Sequence, residues 1–260
     1  LGVPCFVSWV FLGVSMSLLG APDLGMLSYG EIIEHIRRIA DAVEIPVIAD
    51  ADTGYGGPLN VIRTARDYEN AGISCIQIED QQWPKRCGHM MNRVIAPVEE
   101  MCERIKAAVD IRNDDDFIVM ARTDSRTNHG INEAIDRMNA YIEAGADVAF
   151  VESPESVDEM RMINEQISAP TLANMVEGGR TPFIPCQELQ GLGYDLAIYP
   201  GFYRRPMARW NEDGSCAPMA RARGPKGEAF QPLLKQSDID DDIGHIEHEV
   251  RVPRVDKSRA

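Results

Sequence analysis

Three carboxylates stand where two apolar runs of the sequence end. Asp50 and Asp52 follow the run at 45–49, and Glu79 follows the run at 73–78. Because side chains two residues apart on a strand point the same way, Asp50 and Asp52 are expected to project to one side. Carboxylate oxygens suit a hard cation, and Mg²⁺ keeps several waters while taking only one or two carboxylates directly. We predict a Mg²⁺ site here, with Mn²⁺ as the other candidate; the competing interpretation is a solvated loop in which Asp52 caps a helix.

The basic pentapeptide Lys85-Arg86-Cys87-Gly88-His89 is a second candidate for chemistry. A thiolate between two cations and an imidazole is stabilised, so the pKa of Cys87 should fall towards neutrality. A group that titrates near the working pH suits acid and base catalysis. Cys87 and His89 could instead contribute to a zinc site, but the sequence offers no partner pair. The plainer alternative is a surface thiol in a basic loop.

Three more polar residues, Arg122, Glu152 and Asn174, each end a further apolar run. Arginine at such a position suits bidentate recognition of a carboxylate. The alternative for Arg122 is a structural ion pair with a neighbouring Asp or Glu. Ser8 and Asp23 are weaker candidates when each is taken alone.

These residues require a scaffold that brings several strand ends together. Seven apolar runs are continuous rather than alternating, which is typical of parallel strands covered on both faces; they lie at 6–8, 45–49, 73–78, 117–121, 148–151, 171–173 and 196–199. Amphipathic stretches between them predict helices at 31–43, 59–71, 98–112, 131–144 and 156–167. In a barrel the carboxyl ends of all strands surround one site. In an open sheet only the strand ends at the point where the strand order reverses form the ligand site. We therefore predict an α/β fold, a TIM-type (β/α)₈ barrel whose first strand would lie upstream of Leu1.

The barrel pattern fails after residue 202. We predict a catalytic barrel domain at 1–202 and a C-terminal tail at 203–260 that is partly disordered or docks against a partner subunit. The first 22 residues carry no charge. No basic segment precedes this stretch and Pro4, Gly13 and Gly20 interrupt it, so we interpret it as a buried strand and a helix start rather than a membrane anchor.

Composition excludes several classes of function. The 260 residues include 26 basic and 41 acidic ones, a formal net charge of −15, which argues against a nucleic-acid partner. Hydrophobic residues make up 44% of the chain, too many for a disordered protein. The six cysteines are scattered without a CxxC pair. We therefore expect a reducing compartment, the cytoplasm, or the mitochondrial matrix in a eukaryote.

Taken together, the motifs resemble those of the isocitrate lyase / phosphoenolpyruvate mutase superfamily. The segments that carry the resemblance are SLLGAPDLG at 17–25, ADADTGYG at 49–56, QIEDQ at 77–81, KRCGHM at 85–90, ARTDS at 121–125, VESPES at 151–156 and ANMVEGG at 173–179. The resemblance extends from about residue 2 to residue 201. KRCGH marks the lyase branch of this family, whereas mutases and several decarboxylases lack that cysteine loop.

The resemblance implies a Mg²⁺-dependent carbon–carbon lyase. Its substrate would be a small 2-hydroxy di- or tricarboxylate, 2-methylisocitrate-like or 2,3-dimethylmalate-like, which a retro-aldol step would split into a 2-oxo acid such as pyruvate and a second carboxylate. By motif, Asp50, Asp52 and Glu79 would hold the Mg²⁺, partly through water. The metal would stabilise the developing enolate.

The same resemblance implies roles for the remaining candidates. Cys87 would protonate the carbanion-like carbon of the departing carboxylate. Arg122 would bind the 2-oxo acid end of the substrate. The residues implied to tune Cys87, to bind carboxylate or to line the pocket are Lys85, Arg86, Gly88, His89, Glu152 and Asn174, with Ser8 and Asp23 from the first two motifs. Relatives form tetramers, so a homo-oligomer is expected.

Two alternatives remain open within the resemblance. Oxaloacetate hydrolases of the same superfamily also share KRCGH, so that reaction is the first. The family usually has a Ser-Gly-x-Gly turn whose backbone N–H groups hold a substrate carboxylate, but here Ser8 is followed by the bulky segment 9–12. This departure motivates the second alternative, a catalytically silent barrel that binds a ligand or partner subunits. A phosphonate-forming mutase is disfavoured by Cys87.

Overall fold

The chain divides into two units, Leu1–Pro200 and Gly201–Ala260. A computed structural model describes residues 7–9, 11–20, 23–86, 88, 93–176, 178–200, 209–210 and 216–217. In the second unit the described residues form one antiparallel pair, β8 (Arg209–Trp210) with β9 (Cys216–Ala217). The predicted order and docking of the tail at 203–260 therefore lie almost wholly outside the described residues.

Seven parallel strands form the framework of the first unit, and each coincides with a predicted apolar run. They are β1 (Val7–Trp9), β2 (Val47–Asp50), β3 (Cys75–Glu79), β4 (Ile118–Thr123), β5 (Val148–Val151), β6 (Leu172–Asn174) and β7 (Leu196–Ile198). β1 to β5 form one sheet in chain order, and β6 pairs with β7. A bridge between Ala149 and Thr171 connects the two groups. Among the described residues no pairing joins β7 to β1.

Helices connect successive strands, as right-handed βα units require. They are α1 (Phe11–Leu19), α2 (Tyr29–Ala42), α3 (Pro58–Asn70), α4 (Val98–Ile111), α5 (Arg126–His129), α6 (Ile131–Glu143), α7 (Val157–Gln166) and α8 (Cys186–Leu192). The five predicted helices correspond to α2, α3, α4, α6 and α7. Local signals fix their starts: Ser28 and Glu31 form a capping box on α2, and the Ser156 hydroxyl caps α7.

The helices bury an apolar layer against the outer faces of the strands. Ile76 and Ile78 of β3 belong to this layer, together with Met101 and Ile105 of α4. A second, smaller cluster consists of the residues that point the other way, into the barrel interior: Ile48, Cys75, Met120, Val148, Phe150, Leu172 and Ile198. β2 to β5 each contribute to both layers, which explains why these strands are apolar without alternation.

The described part of the chain contains no helix with the length and apolar character needed to span a membrane.

Candidate active site

The candidate site occupies the carboxyl ends of the strands, directly above the inner apolar cluster. Side chains on a strand alternate, so the inward positions that begin with Ile48, Cys75 and Met120 continue to polar residues further along. The register pairs Asp50 with Gln77 and Glu79 with Arg122. The inward side chains thus change from apolar to charged along each strand, and the charged ones meet at one end, as in a barrel active site.

One buried lysine lies at the centre of an acidic group. Lys85 Nζ is 2.6 Å from Asp52 Oδ1 and 2.7 Å from Asp23 Oδ1. All three side chains are at most 7% exposed. Burial lowers the pKa of Lys85, but the surrounding carboxylates, Asp52 first and Glu79 second, raise it well above its usual value. The lysine is therefore a permanent cation. Its two ion pairs connect the motifs at 17–25, 49–56 and 85–90.

The carboxylates around this lysine carry more negative charge than the neighbouring cations can neutralise. Burial raises the pKa of Asp52 to about 8, even though Lys85 opposes the shift. Burial also raises the pKa of Asp50 and, well above its usual value, that of Glu79. Several buried acids with few cations among them form a site that would gain from additional positive charge.

A tight turn presents Asp52. The strand ends at Asp50, and Asp52 has a positive φ of 50°, so the strand alternation that we used to orient the pair does not apply to Asp52. The Asp52 backbone N–H donates to Asp50 Oδ1 at 2.9 Å, and the Tyr68 hydroxyl donates to the Asp50 carbonyl at 3.0 Å. The alternative that Asp52 caps a helix is wrong, because Gly57 occupies the N-cap of α3.

The predicted metal residues fit a divalent cation by their chemistry. Asp52 Oδ2 and Glu79 Oε1 are buried and accept no hydrogen bond within the described structure. Buried anionic oxygens of this kind need a proton or a cation. Among the described residues, however, no group of three His, Cys, Asp or Glu side chains is placed to ligate one ion together. Mg²⁺ with one or two direct carboxylates and several waters is consistent with both observations.

Arg122, near the end of β4, lies within reach of three acids. Its Nε and Nη2 each donate to Asp124 at 3.0 Å. Its Nε is 3.6 Å from Glu79 Oε2, and its Nη2 is 3.5 Å from Glu152 Oε2. The Asn174 amide donates to the same Glu152 oxygen at 3.0 Å. The structural ion pair that we kept as an alternative for Arg122 is thus present, with Asp124 as its partner.

The cysteine loop passes directly over this arginine. A Cβ at Gly88 would lie 2.3 Å from Arg122 Nη2 and 3.0 Å from Glu152 Cγ, so only glycine fits there. Gln81 holds the start of the loop by exchanging two hydrogen bonds with the Arg86 backbone, at 2.9 and 3.0 Å.

The structure thus brings most of the predicted residues together. Those within the described site are Asp23, Asp50, Asp52, Glu79, Lys85, Arg86, Gly88, Arg122, Glu152 and Asn174. Cys87 and His89 lie outside the described residues. Ser8 lies on β1 and is in register with Ile48 of β2. Helix α1 begins at Phe11, so most of the segment 9–12 belongs to β1 or α1.

Two buried acids that were not among the predicted site residues hold the site. Asp124 pairs with Arg122, and Asp80 accepts hydrogen bonds from Thr123 Oγ1 at 2.7 Å, the Asp124 N–H at 2.9 Å and the Tyr141 hydroxyl at 2.9 Å. Both acids stand in the quoted motifs, QIEDQ and ARTDS. The alternation of side chains along a strand could have separated Asp80 from Glu79. Glu79 points into the pocket, whereas Asp80 points away from it and connects the end of β3 to the end of β4.

Most of the first unit matches a known protein family. The phosphoenolpyruvate phosphomutase family matches residues 11–212. The chain belongs to the PEP mutase/isocitrate lyase superfamily. The resemblance found in the sequence is thereby confirmed.

Curated relatives of the superfamily include lyases. The 2,3-dimethylmalate lyase of Eubacterium barkeri is 56% identical over 188 residues, which cover 72% of this chain and 65% of the relative. A 2-methylisocitrate lyase of Shewanella oneidensis is 43% identical over 188 residues, covering 72% of this chain and 64% of the relative. The chain therefore spans slightly less than two thirds of the length of these relatives.

Solved structures of the superfamily share the fold. A crystal structure of 2,3-dimethylmalate lyase superposes with a TM-score of 0.73 at 38% identity, covering 75% of this chain and 66% of the other. Phosphonopyruvate hydrolase in complex with oxalate and Mg²⁺ gives a TM-score of 0.65 at 30% identity, covering 74% and 67%. These neighbours confirm the TIM-type α/β fold.

Proposed function

We propose that this superfamily member is a Mg²⁺-dependent carbon–carbon lyase. It would cleave a small 2-hydroxy di- or tricarboxylate, 2,3-dimethylmalate-like or 2-methylisocitrate-like, to a 2-oxo acid such as pyruvate and a second carboxylate. One observation carries the proposal: Arg122 lies beside Glu79, so a cation suited to binding a carboxylate adjoins buried acids that would gain from a metal ion. The 56% identity to a 2,3-dimethylmalate lyase supports the reaction class.

Asp50, Asp52 and Glu79 would hold the Mg²⁺, partly through water molecules. The bound cation would supply positive charge to the oxygens of the developing enolate. The phosphonopyruvate hydrolase structure, which contains oxalate and Mg²⁺, supports a metal in a related barrel.

The residues of the chain would bind and orient the substrate. Arg122 would pair with the carboxylate next to the 2-hydroxyl, and Asn174 would line the same wall through its contact with Glu152. Lys85 would neutralise the Asp23 and Asp52 carboxylates, so that these acids do not repel the anionic substrate. Fixed charges of this kind need no reorganisation when the reaction occurs.

The cleavage would be a retro-aldol step. The 2-hydroxyl would give its proton to a carboxylate of the pocket and become the carbonyl of the 2-oxo acid, while the carbon–carbon electron pair would pass to the departing fragment. Cys87 would deliver the proton to that carbon, and Arg86 and His89 would stabilise its thiolate. Gly88 lets the chain beside Cys87 pass close to Arg122 and Glu152, because a Cβ at this position would meet both side chains.

Release of a 2-oxo acid by the purified chain tests the proposal. We expect Mg²⁺-dependent release from 2,3-dimethylmalate or 2-methylisocitrate, loss of release in EDTA, and at least a hundredfold drop in kcat in Cys87→Ser. Cys186→Ser is the matched control, because Cys186 is an exposed thiol on α8. Oxalate and acetate formed from oxaloacetate would instead indicate the hydrolase, and a folded, Mg²⁺-binding chain without turnover would indicate the silent barrel.

Two further properties are part of the proposal. We infer a reducing compartment such as the cytoplasm, supported by the free thiols of Cys75, Cys102 and Cys186. We also infer that the chain has no nucleic-acid partner, which its formal net charge of −15 supports. We infer a homo-oligomer from membership of the superfamily.

A further inference from the structure

Arg93 is a buried arginine that the proposed chemistry does not use. Its side chain has no exposed surface, and its Nη1 donates to Asp124 Oδ1. Its Nη2 donates to Thr127 Oγ1, and its carbonyl accepts a hydrogen bond from Asn128 Nδ2 at 2.7 Å. Burying a guanidinium is costly unless its charge is compensated, and here Asp124 compensates it.

Asp124 is shared between two arginines. Its Oδ1 accepts hydrogen bonds from Arg93 Nη1 and Arg122 Nη2, while its Oδ2 accepts one from Arg122 Nε. The Asp124 side chain has no exposed surface. Burial alone would raise the pKa of Asp124, but Arg122 and Arg93 outweigh burial and lower it. The carboxylate is therefore ionised, and it connects the residue after the cysteine loop to the arginine of the pocket.

The orientation of Arg122 depends on which acid it pairs with. Asp124 engages Nε and Nη2 at 3.0 Å, whereas the oxygens of Glu79 and Glu152 lie at 3.6 and 3.5 Å. The Nη1 end takes part in none of these contacts. If Asp124 were free to turn, Arg122 could pair with Glu79 or Glu152 instead, and its planar fork would point elsewhere.

We propose that Arg93 is a positioning residue for the pocket: by fixing Asp124 it aims Arg122 at the substrate carboxylate rather than at Glu79 or Glu152. This inference rests on the proposed function, since it takes Arg122 to be the group that binds substrate. A purely structural role would make Arg93 equivalent to Arg112, which pairs with Asp147 at 2.9 Å before β4 and β5, at the opposite end of the barrel.

Kinetics of matched variants separate the two roles. In Arg93→Met we expect KM to rise about tenfold with kcat within about twofold, because an aiming defect weakens binding in the ground and transition states alike. Arg93→Lys, which keeps the charge, should stay within about threefold of the parent KM. Arg112→Met should lower the melting temperature without changing KM. Equal KM values in Arg93→Met and the parent would overturn the proposal.

Crystal structures of the parent and Arg93→Met give a readout that needs no activity. We expect the Arg122 guanidinium to leave Asp124 Oδ2 and turn towards Glu79 or Glu152. An Arg122 that keeps both contacts with Asp124 would refute the inference, whatever the kinetics. If the parent cleaves none of the acids, the proposed function fails, yet this comparison still decides whether Arg93 sets the orientation of Arg122.

A milder variant covers the case in which Arg93→Met does not fold. Thr127→Val removes the acceptor of Arg93 Nη2 but leaves all charges in place. We expect a KM increase of about threefold with kcat unchanged. An unchanged KM in a folded Thr127→Val chain would contradict the proposal.

Discussion

At the scale of single residues, the site depends on how charges are shared. Arg122 lies within 3.6 Å of carboxylate oxygens from three acids, which are Glu79, Asp124 and Glu152. Lys85 forms ion pairs with both Asp23 and Asp52. An uncompensated buried charge is costly, so these groups are stable while each charge keeps a partner. Small displacements that leave every charge paired should therefore change the orientation of Arg122, and with it activity, more than stability.

Gly88→Ala tests this sensitivity. The new Cβ would meet Arg122 Nη2 and Glu152 Cγ, so either the loop or the arginine must move. We expect kcat/KM to fall at least tenfold, which corresponds to about 1.4 kcal/mol of transition-state stabilisation, with a melting temperature within a few degrees of the parent. Gly30→Ala is the control, because a Cβ there meets nothing within 4 Å on α2. Full activity in Gly88→Ala would mean that the loop does not press on Arg122.

Tyr68→Phe tests the support of the metal residues. The variant removes one hydroxyl, which donates to the Asp50 carbonyl at 3.0 Å. We expect a loss of about 1 kcal/mol in the free energy of unfolding, measured by urea titration, together with weaker Mg²⁺ binding measured by calorimetry. An unchanged Mg²⁺ affinity would show that Asp50 keeps its position without this bond.

At the scale of elements, the sequence predicts the strands well and the loops poorly. Continuous apolar runs identify β1 to β7, and β2 to β5 are apolar without alternation because both of their faces are covered. The stretch that contains α1 was predicted only as a strand and a helix start, because its apolar residues show no clear helical period, and α8 was not predicted because it has only seven residues. The turn at Asp52, whose φ is 50°, was not predicted either, because strand alternation assumes an extended backbone.

Most site residues could be predicted because strand ends are visible in the sequence, but their pairing could not. Nothing in ARTDS shows that Asp124 turns back to Arg122, or that Arg93 arrives from a segment about 30 residues earlier to share it. Such choices depend on the three-dimensional distances between strand ends. The sequence therefore offered Asp124 and any other nearby acid as equal partners for Arg122.

Gly54→Ala tests the turn between β2 and α3. Gly54 has a φ of 84°, and a Cβ there would lie 2.5 Å from Val61 Cγ2. We expect a destabilisation of about 1–3 kcal/mol from backbone strain, with a further cost from the clash. Val61→Ala removes the clash but also truncates a fully buried core side chain, so the reference for the double variant is Val61→Ala alone. The double variant should still be about 1–3 kcal/mol less stable than Val61→Ala in urea unfolding. Equal stability of these two chains would show that the left-handed backbone costs nothing here.

At the scale of the whole molecule, metal binding should couple to folding. A cation that binds only the folded chain stabilises it, by about 2.7 kcal/mol at a hundredfold excess over Kd. We therefore expect Mg²⁺ to raise the melting temperature by about 5 to 10 °C relative to EDTA, and Glu79→Gln to remove most of the gain. Glu133→Gln, which changes only a pair with Arg137 on α6, should leave the gain intact. A Mg²⁺ effect equal in all three chains would contradict a site at Glu79.

A lyase breaks one carbon–carbon bond for each molecule of 2-hydroxy acid that it consumes. Proton NMR of the chain with 2,3-dimethylmalate and Mg²⁺, and in parallel with 2-methylisocitrate, follows both the substrate and the products. We expect one of the two acids to disappear while a 2-oxo acid and a second carboxylate form in equal amounts, and we expect EDTA to stop the reaction. If both acids remained unchanged in the presence of folded, Mg²⁺-bound protein, the chain would not be this lyase.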